Sequence, residues 1–190
     1  MKKIQGAEAT VTIKDKVSKN RKEKSYRHPD IDQKIRRERT KQETRIIEKA
    51  RQNGVKVPKI QETSDTSFEM QKIPGKQLKR TIEQQPETIK KLAEQVARLH
   101  STNIIHGDLT TSNAILTPEN QVYIIDFGLA THSERIEDKA VDLHLLKQIL
   151  QTSHANQKNL WNLFKQKYRE KGDKKVLEKL PEIEKRARYK

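Results

Sequence analysis

The sequence contains no cysteine, which excludes disulfide bonds and thiolate metal sites. It has no apolar run near the ~18 residues that a membrane-spanning helix needs, and no secretory hydrophobic region follows Met1. We therefore expect a cytoplasmic protein that is not inserted in a membrane. Apolar residues are scarce, at 32% against 35% charged residues, so most helices must be amphipathic with little fully buried surface.

Negative charge is outnumbered, because 41 lysines and arginines face 26 aspartates and glutamates and give a formal net charge of +15. These cations are spread along the whole chain, which favours a polyanionic partner such as nucleic acid over an acidic peptide. A solvated basic surface is the alternative interpretation. Residues 184–190 combine basic charge with Tyr189, and they are either a solvated terminus or a segment that contacts an RNA backbone or base.

Two motifs with carboxylates stand out in the second half of the chain. His106-Gly-Asp-Leu-Thr-Thr-Ser-Asn113 is followed, after an apolar run, by Asp126-Phe-Gly128. Their order and spacing are similar to the catalytic loop and metal-binding triplet of protein kinases. Phosphoryl transfer needs one carboxylate beside the attacking oxygen and two oxygen ligands that hold Mg²⁺ against the β- and γ-phosphates of ATP. Asp108 is the candidate for the first role, and Asn113 and Asp126 are the candidate metal ligands. The alternative is an aspartate in a turn and a hairpin that reads D-F-G by coincidence.

Glycine is scarce in the first part of the chain, since Gly6 is the only glycine ahead of Gly54. A glycine-rich loop that covers the phosphates of ATP would therefore be reduced to the turn at Gly6. The apolar alternation in Ala9–Ile13 predicts an edge strand, and a second strand is expected around residues 17–19. We expect this segment to be too brief for the three strands that usually begin a kinase fold.

Residues 30–53 have one apolar stripe at helical spacing and predict a long helix that stops at Asn53-Gly54. A kinase pairs a glutamate on such a helix with a strand lysine that contacts the α- and β-phosphates. Glu38, Glu43 and Glu48 are the candidates. Glu43 is preferred because it lies midway along the helix and on its apolar face, and an ordinary surface ion pair is the alternative.

A hinge between two lobes is predicted at residues 71–75. The backbone of Gln71 and Ile73 could hydrogen-bond the edge of an adenine, with Met70 packed behind the base. Met70 could equally be an ordinary core residue. The predicted division is an N-lobe at 1–70, the hinge at 71–75 and a C-lobe at 76–190.

The remaining apolar patterns predict a helical second half with one small hairpin. Helices are expected at residues 86–101, from 137 onward, at 156–170 and at 174–186, with a strand at 104–105 and a hairpin at 115–125. Asn113 and Asp126 would lie at the two ends of this hairpin. Asp142 is either an anchor for the backbone of His106 and Gly107 or a helix-surface charge.

The segment after Asp126 is short for a kinase, because a new helix is predicted from Glu137 and no A-P-E motif occurs. Gly107 also replaces the arginine that holds a phosphorylated activation loop in regulated kinases. We therefore expect either that the protein is active without phosphorylation of an activation loop or that a partner controls its activity. Without a platform for a peptide, Asp108 could orient either water or a protein hydroxyl.

Several strings match a narrower family: Gly6-Ala-Glu-Ala9, Tyr26-Arg-His-Pro29, Arg36-Arg-Glu-Arg-Thr40, Ile125-Asp-Phe-Gly128 and Glu137-Asp-Lys-Ala-Val-Asp-Leu143. Together with residues 106–113 they resemble the Bud-type, RIO-like atypical kinase subunit of the KEOPS complex. The resemblance implies a miniature two-lobed α+β kinase fold with ATP and Mg²⁺ as cofactors. It also implies a serine/threonine protein kinase and ATPase that works beside the Kae-type transferase and other KEOPS subunits. That complex forms threonylcarbamoyladenosine next to the anticodon of tRNA.

The resemblance also separates two candidate phosphate lysines. The family places this lysine in a V-x-K-x-R context shortly before Y-R-x-P, and residues 17–21 match that pattern. Lys19 is therefore preferred, and Lys14 is the fallback. Two other hypotheses remain, of which the first is a non-catalytic basic scaffold that holds RNA and partner subunits. The second, a small-molecule kinase of the aminoglycoside or choline type, is disfavoured because the chain has no room for an acidic substrate-binding region.

Overall fold

The chain forms an α+β fold in which a small antiparallel sheet and one long helix precede a mainly helical half. This architecture, seen in a computed structural model, confirms the predicted fold class. The structure describes residues 2–6 and 8–187. The predicted RNA contact of Tyr189 therefore lies outside the described residues. Within the described ranges, no helix is long and apolar enough to cross a membrane.

The N-terminal sheet has five strands in the order β1-β2-β3-β5-β4. Their bounds are β1 Lys2–Gln5, β2 Ala9–Ile13, β3 Lys16–Arg21, β4 Ile60–Thr63 and β5 Ser67–Gln71. The prediction of an edge strand at Ala9–Ile13 is wrong, because β1 pairs with its outer side. Three strands, not two, therefore precede the long helix. The sequence of β1 is too polar to show alternation, and the turn at Gly6, whose N–H is donated to Ala9 O at 2.9 Å, folds it onto β2.

Helix α1, Pro29–Gln52, occupies the position predicted for the long helix. Acidic residues in its first turn and basic residues in its last turn suit the helix dipole. Its apolar side contacts β4 and β5 and buries Ile46, Ile47 and Ala50, and the same side buries Glu43. A carboxylate on the buried face of a helix needs charged or hydrogen-bonding partners, so Glu43 marks the side of α1 where the site forms.

The second half contains four α-helices, two short 3₁₀ helices (Leu78–Arg80 and Thr111–Asn113) and two small sheets within the described residues. Their elements are β6 Lys76–Gln77, α2 Thr88–Ser101, β7 Ile104–Ile105, β8 Ala114–Leu116, β9 Val122–Ile124, β10 Thr131–His132, α3 Ile136–Ser153, α4 Leu160–Lys171 and α5 Lys174–Ala187. Helix α4 begins at Leu160, not at the predicted residue 156. Turns occupy the preceding residues, where the N–H of Gln157 is donated to His154 O.

One hydrophobic core runs through both halves of the molecule. Helix α2 lies at its centre, packed against β7 and β9 on one side and α4 on the other. The hairpin of β8 and β9 therefore packs on α2 through β9, with Asn113 just before β8 and Asp126 shortly after β9. The predicted division at residues 71–75 stays a prediction.

Candidate active site

The centre of the site is a cluster of four charged side chains. Lys19 and Arg21 lie on the same face of β3, because alternate residues of a strand point to the same side. Lys19 Nζ donates to Glu43 Oε1 at 2.6 Å and to Asp126 Oδ1 at 2.7 Å. Arg21 Nη2 donates to Glu43 Oε2 at 2.6 Å. Two cations therefore balance two carboxylates, and both oxygens of Glu43 have a partner.

The charges of this cluster shift the pKa values of its members. Burial alone would lower the pKa of Lys19, but the carboxylates of Glu43 and Asp126 outweigh burial and raise that pKa above its ordinary value. Burial alone would raise the pKa of Asp126, but Lys19 holds it below its ordinary value. Lys19 therefore stays positive and Asp126 stays negative at neutral pH, which is the charge state that the predicted roles of phosphate contact and metal ligand require.

Asp126 adopts the left-handed region with φ of 63°, a conformation that non-glycine residues rarely keep outside functional sites. The next residue, Phe127, is buried, whereas the Asp126 side chain is 54% exposed. Gly128 gives the cluster room, since a Cβ there would lie 3.3 Å from both Asp126 Oδ1 and Lys19 Nζ. The backbone thus turns the Asp126 carboxylate into the cleft and keeps it beside Lys19.

Asp108 and Asn113 belong to the loop at residues 106–113. Asn113 Nδ2 donates to the backbone oxygen of Asp108 at 2.9 Å and to Asp108 Oδ2 at 2.8 Å. These bonds orient the Asp108 carboxylate and leave Asn113 Oδ1 on the opposite side of the amide. The N–H of Ile125 is donated to Asn113 O at 2.9 Å, which brings Asn113 close to Asp126.

The oxygen donors of Asn113 and Asp126 fit Mg²⁺, which takes one or two carboxylates and completes its shell with phosphates and water. Among the residues that the structure describes, no three histidine, aspartate or glutamate side chains converge on a metal-sized space.

Asp142 anchors the backbone of loop 106–113, as one of the two sequence interpretations predicted. Its Oδ2 accepts the N–H of His106 at 2.7 Å, and its Oδ1 accepts the N–H of Gly107 at 2.9 Å. Gly107 has φ of 77°, and a Cβ on it would lie 2.4 Å from the carbonyl oxygen of Leu129. No side chain fits there, which gives a steric reason for glycine where regulated kinases have arginine.

Two residues behind Asp142 were not found from the sequence. His100 Nε2 lies 3.2 Å from Asp142 Oδ2, and His100 Nδ1 lies 2.9 Å from the Tyr168 hydroxyl. The Asp142 carboxylate can only accept hydrogen bonds, so the His100 nitrogen that faces it, Nε2, carries the proton. In the neutral ring Nδ1 then accepts from the Tyr168 hydroxyl, which stays protonated because burial, with carboxylates nearby, raises its pKa. Burial alone would raise the pKa of Asp142, but the hydrogen bond from His100 and the N–H of His106 hold it below its ordinary value.

A cavity of about 460 Å³ lies between the sheet and the hairpin. Six predicted site residues line it: Lys19, Met70, Gln71, Ile73, Asn113 and Asp126. Glu43 and Asp108 do not line it but are bonded to residues that do. Gly6 lies apart, in the β1–β2 turn, and Lys14 is exposed in the turn before β3. The structure therefore brings Lys19 to Glu43 and leaves Lys14 and Gly6 outside.

Arg21 is the member of the charged cluster that was not predicted from the sequence as a site residue. The signal was present, because the V-x-K-x-R string puts the lysine and the arginine two residues apart on a strand. Residues two positions before and after a lysine on a strand lie on the same face as the lysine, so they are candidates for the same charged cluster.

A small sheet and helix facing a helical half, with an ion-paired lysine, a loop carboxylate and a D-F-G aspartate on one cleft, define a protein-kinase-like protein. Solved structures share this fold. The Rio2 kinase–ADP/Mg²⁺-phosphoaspartate complex from Chaetomium thermophilum has a TM-score of 0.64 at 15% identity and covers 100% of this chain and 71% of its own. The bifunctional kinase-methyltransferase WbdD has a TM-score of 0.57 at 16% identity, over 85% of this chain and 43% of its own.

The chain belongs to the RIO domain family, whose sequence model matches residues 3–175. The KEOPS complex subunit Bud32 of Pyrococcus abyssi is 40% identical over 185 residues, covering 91% of this chain and 84% of that protein. A probable bifunctional tRNA threonylcarbamoyladenosine biosynthesis protein of Methanosarcina acetivorans is 42% identical over 192 residues, covering 97% of this chain. The chain spans only 35% of the length of that bifunctional relative.

Proposed function

We propose that this chain is the ATP- and Mg²⁺-dependent kinase subunit of a KEOPS complex and supports threonylcarbamoyladenosine formation in tRNA. The observation that carries the proposal is the 2.7 Å ion pair of Lys19 and Asp126, which joins the sheet to the D-F-G turn across the cleft. A magnesium nucleotide offers each group a new partner, since phosphate oxygens suit Lys19 and Mg²⁺ suits Asp126. The names of the two relatives support the assignment to tRNA modification.

The residues divide the work of phosphoryl transfer between them. Lys19, held by Glu43, would bind phosphate oxygens, and Asn113 Oδ1 with Asp126 would hold Mg²⁺. Asp108, oriented by Asn113, would position the attacking oxygen beside the γ-phosphate. The bound metal supplies charge neutralisation on the phosphates.

The adenine would lie against the apolar part of the same cleft. Met70 and Ile73 line this part, and Ile73 is buried. The backbone of Gln71 and Ile73 is suited to hydrogen-bond the edge of the base, as a hinge at 71–75 requires. Gly6 would contribute to nucleotide binding, at most, through the end of the β1–β2 turn.

The short segment after Asp126 bears on which acceptor, water or a protein hydroxyl, receives the phosphoryl group. Strand β10 pairs with β7, and Gln42 Nε2 donates to Ala130 O at 3.1 Å, so this segment is fixed against the fold and offers no long platform to a peptide. We propose ATP hydrolysis as the main reaction, with serine/threonine protein phosphorylation as a second reaction that uses the same Asp108. The control would come from partner subunits, because Gly107 leaves no arginine for a phosphorylated loop.

Turnover of ATP by single-residue variants tests the catalytic proposal. Asp126→Ala and Asp108→Ala should each lower kcat by at least about 100-fold, because they remove a metal ligand and the group that positions the acceptor. Asp65→Ala is the matched control, since Asp65 is an exposed carboxylate paired with Arg37 and does not line the cleft. Near-normal hydrolysis by Asp126→Ala, with a cooperative unfolding transition retained, would refute the assignment.

A cationic stretch beside the cleft supports an RNA contact for the same protein. Four cations in residues 72–80 are exposed and have no ion-pair partner among the described residues: Lys72, Lys76, Lys79 and Arg80. Three of them, all but Lys79, line the cleft. Exposed cations without carboxylate partners are free to replace counterions on a phosphate backbone. We propose that tRNA contacts this stretch while the Kae-type transferase and other KEOPS subunits bind elsewhere, in the cytoplasm.

Binding of tRNA at two salt concentrations tests this contact. The double variant Lys76→Glu/Arg80→Glu should weaken binding by about tenfold or more and lower the slope of log K against log salt by about two. Lys174→Glu/Lys175→Glu on α5 is the charge-matched control. Equal weakening by both variants would mean general surface attraction and contradict the placement. Should Asp126→Ala keep both tRNA binding and modification in the assembled complex, the scaffold hypothesis would replace the catalytic one.

A further inference from the structure

Arg21 is buried, which is energetically unfavourable for a charged side chain, and none of the proposed catalytic roles requires it there. Its side chain is only 4% exposed, and its Nε has no hydrogen-bond partner among the described residues. Burying a guanidinium with one N–H unsatisfied is unfavourable unless the charge is strongly compensated. The groups that compensate it therefore indicate what the residue is for.

Both of its partners lie on α1, one turn apart. Arg21 Nη2 donates to Glu43 Oε2 at 2.6 Å and to the backbone oxygen of Arg39 at 3.3 Å. At the other end, the backbone of Arg21 is fixed in the sheet, where it pairs with Ala9 and its N–H is donated to Thr66 O. Arg21 thus connects the sheet to α1 directly and does not line the cleft.

Besides the apolar packing of α1 on β4 and β5, the other ion pairs between α1 and the sheet or its turns are exposed or depend on the cleft. Arg39–Glu8 and Arg37–Asp65 are exposed ion pairs, which contribute little. The buried Lys19–Glu43 pair uses a lysine that also bonds Asp126. Arg21–Glu43 is therefore the buried ion pair, within the described residues, that ties α1 to the sheet without using a group that lines the cleft.

A magnesium nucleotide would disturb the lysine but not the arginine. Asp126 would hold the metal, and Lys19 would exchange Asp126 for phosphate oxygens. Glu43, only 2% exposed, would be left as a buried carboxylate with weakened compensation if Lys19 were its sole partner. Arg21 keeps one oxygen of Glu43 paired throughout this exchange.

We infer that Arg21 is a positioning residue that holds Glu43 and α1 in place whether or not Lys19 is engaged by nucleotide. The site then needs no activating signal to dock α1, in agreement with the short segment after Asp126. This inference rests on the proposed function for its consequence in catalysis, but the docking of α1 by Arg21 is a structural claim that can be measured separately.

Hydrogen exchange of α1 amides in the full chain tests the structural claim, with and without Mg·ADP. Wild type should keep residues 36–46 protected in both states. Arg21→Met should raise exchange there by about tenfold or more and make it depend on Mg·ADP. Arg37→Met, an exposed arginine of the same helix, is the control and should exchange like wild type. Unchanged α1 exchange in Arg21→Met would overturn the inference.

Kinetics of ATP hydrolysis test the consequence through a double-mutant cycle. Arg21→Met should lower kcat by about tenfold or more with KM for ATP changed less than about threefold, because Arg21 orients the cluster without touching nucleotide. Arg21→Lys should recover part of kcat. The double variant Arg21→Met/Glu43→Gln should be no slower than Glu43→Gln alone, and additive losses would overturn the inference.

The two proposals fail in different ways. If Asp126→Ala hydrolyses ATP normally, the proposed function fails, and the exchange experiment still decides whether Arg21 docks α1. If Asp126→Ala is inactive but Arg21→Met retains wild-type kcat and wild-type α1 exchange, only the inference about Arg21 fails.

Discussion

The carboxylate of Asp142 holds the backbone of Gly107, with Oδ1 accepting the glycine N–H at 2.9 Å while Oδ2 accepts the N–H of His106. A helix-borne side chain on α3 thereby sets the conformation of the loop that carries Asp108. Two backbone N–H groups and His100 share one buried carboxylate, so the loop has a single well-determined shape.

Replacing Asp142 by asparagine should disturb this loop without removing volume. One acceptor oxygen becomes an NH₂ donor, which must face a backbone N–H or His100 Nε2–H. We expect a loss of about 2–4 kcal/mol in the free energy of unfolding, measured by urea denaturation, together with a lower kcat for ATP. Asp138→Asn, in the first turn of the same helix, should change stability by less than about 1 kcal/mol. Similar losses in both variants would contradict a special role for Asp142.

Removing the Tyr168 hydroxyl tests the hydrogen-bond chain behind Asp142. Tyr168→Phe leaves His100 Nδ1 without its donor in a buried site, which should cost about 1–2 kcal/mol of stability. The tautomer of His100 is then no longer fixed, so kcat should fall several-fold. Tyr123→Phe, on the partly exposed strand β9, serves as the control. Heteronuclear NMR of the His100 ring should report the wild-type proton on Nε2, and a proton on Nδ1 would disprove the proposed chain.

Gly107 and Gly54 form a matched pair for separating backbone strain from steric collision. Both have φ of 77°, but an added Cβ meets the Leu129 carbonyl oxygen at 2.4 Å in one case and the flexible Arg98 guanidinium at 2.8 Å in the other. Gly54→Ala should therefore show mainly the conformational penalty, about 1–2 kcal/mol. Gly107→Ala should cost at least about 1 kcal/mol more and also reduce turnover. Equal effects in thermal denaturation would show that the Leu129 carbonyl moves freely.

The Lys19–Asp126 pair predicts a definite pH dependence of stability. Because Lys19 lowers the pKa of Asp126 below its ordinary 3.8, this contribution is present above that pH and is lost as pH falls through the lower folded value. Because the pKa of Lys19 is raised above 10.5, its contribution is present below that pH and is lost only in stronger base. The stability difference between wild type and Asp126→Asn should thus be constant from about pH 5 to 9 and shrink toward pH 3. Denaturant unfolding across this range measures it, and a difference that changes between pH 6 and 8 would contradict the assignment.

The sequence predicted the parts of the fold and the candidate site for which the spacing of apolar residues and the type of polar residue indicate the same element. The apolar stripe of α1 and its Asn53-Gly54 end predicted that helix almost to the residue. The choice of Glu43 over Glu38 and Glu48 followed from the face of the helix, and the structure pairs Glu43 with Lys19. The spacing of Asp108, Asn113 and Asp126 likewise indicated one hairpin rim, because turns and short strands are local in sequence.

The structure of polar segments was predicted less well from the sequence. Strand β1 was missed because K-K-I-Q gains its place from backbone pairing with β2, which leaves no signal in side-chain periodicity. The predicted start of helix α4 at residue 156 was too early, because the spacing of apolar residues does not show where turns end and a helix begins.

The sequence by itself therefore determined the class of fold, and it supplied the candidate carboxylates and lysines with the order in which they occur along the chain. Only the tertiary structure decided which partners they have. Arg21 shares Glu43 with Lys19, and Tyr168, His100 and Asp142 form one chain to the loop at 106–113, across sequence separations of 22 to 68 residues. The physical reason is that partners of a buried charge are chosen by the packing of whole elements, which bring distant residues within hydrogen-bond distance and which no local period records.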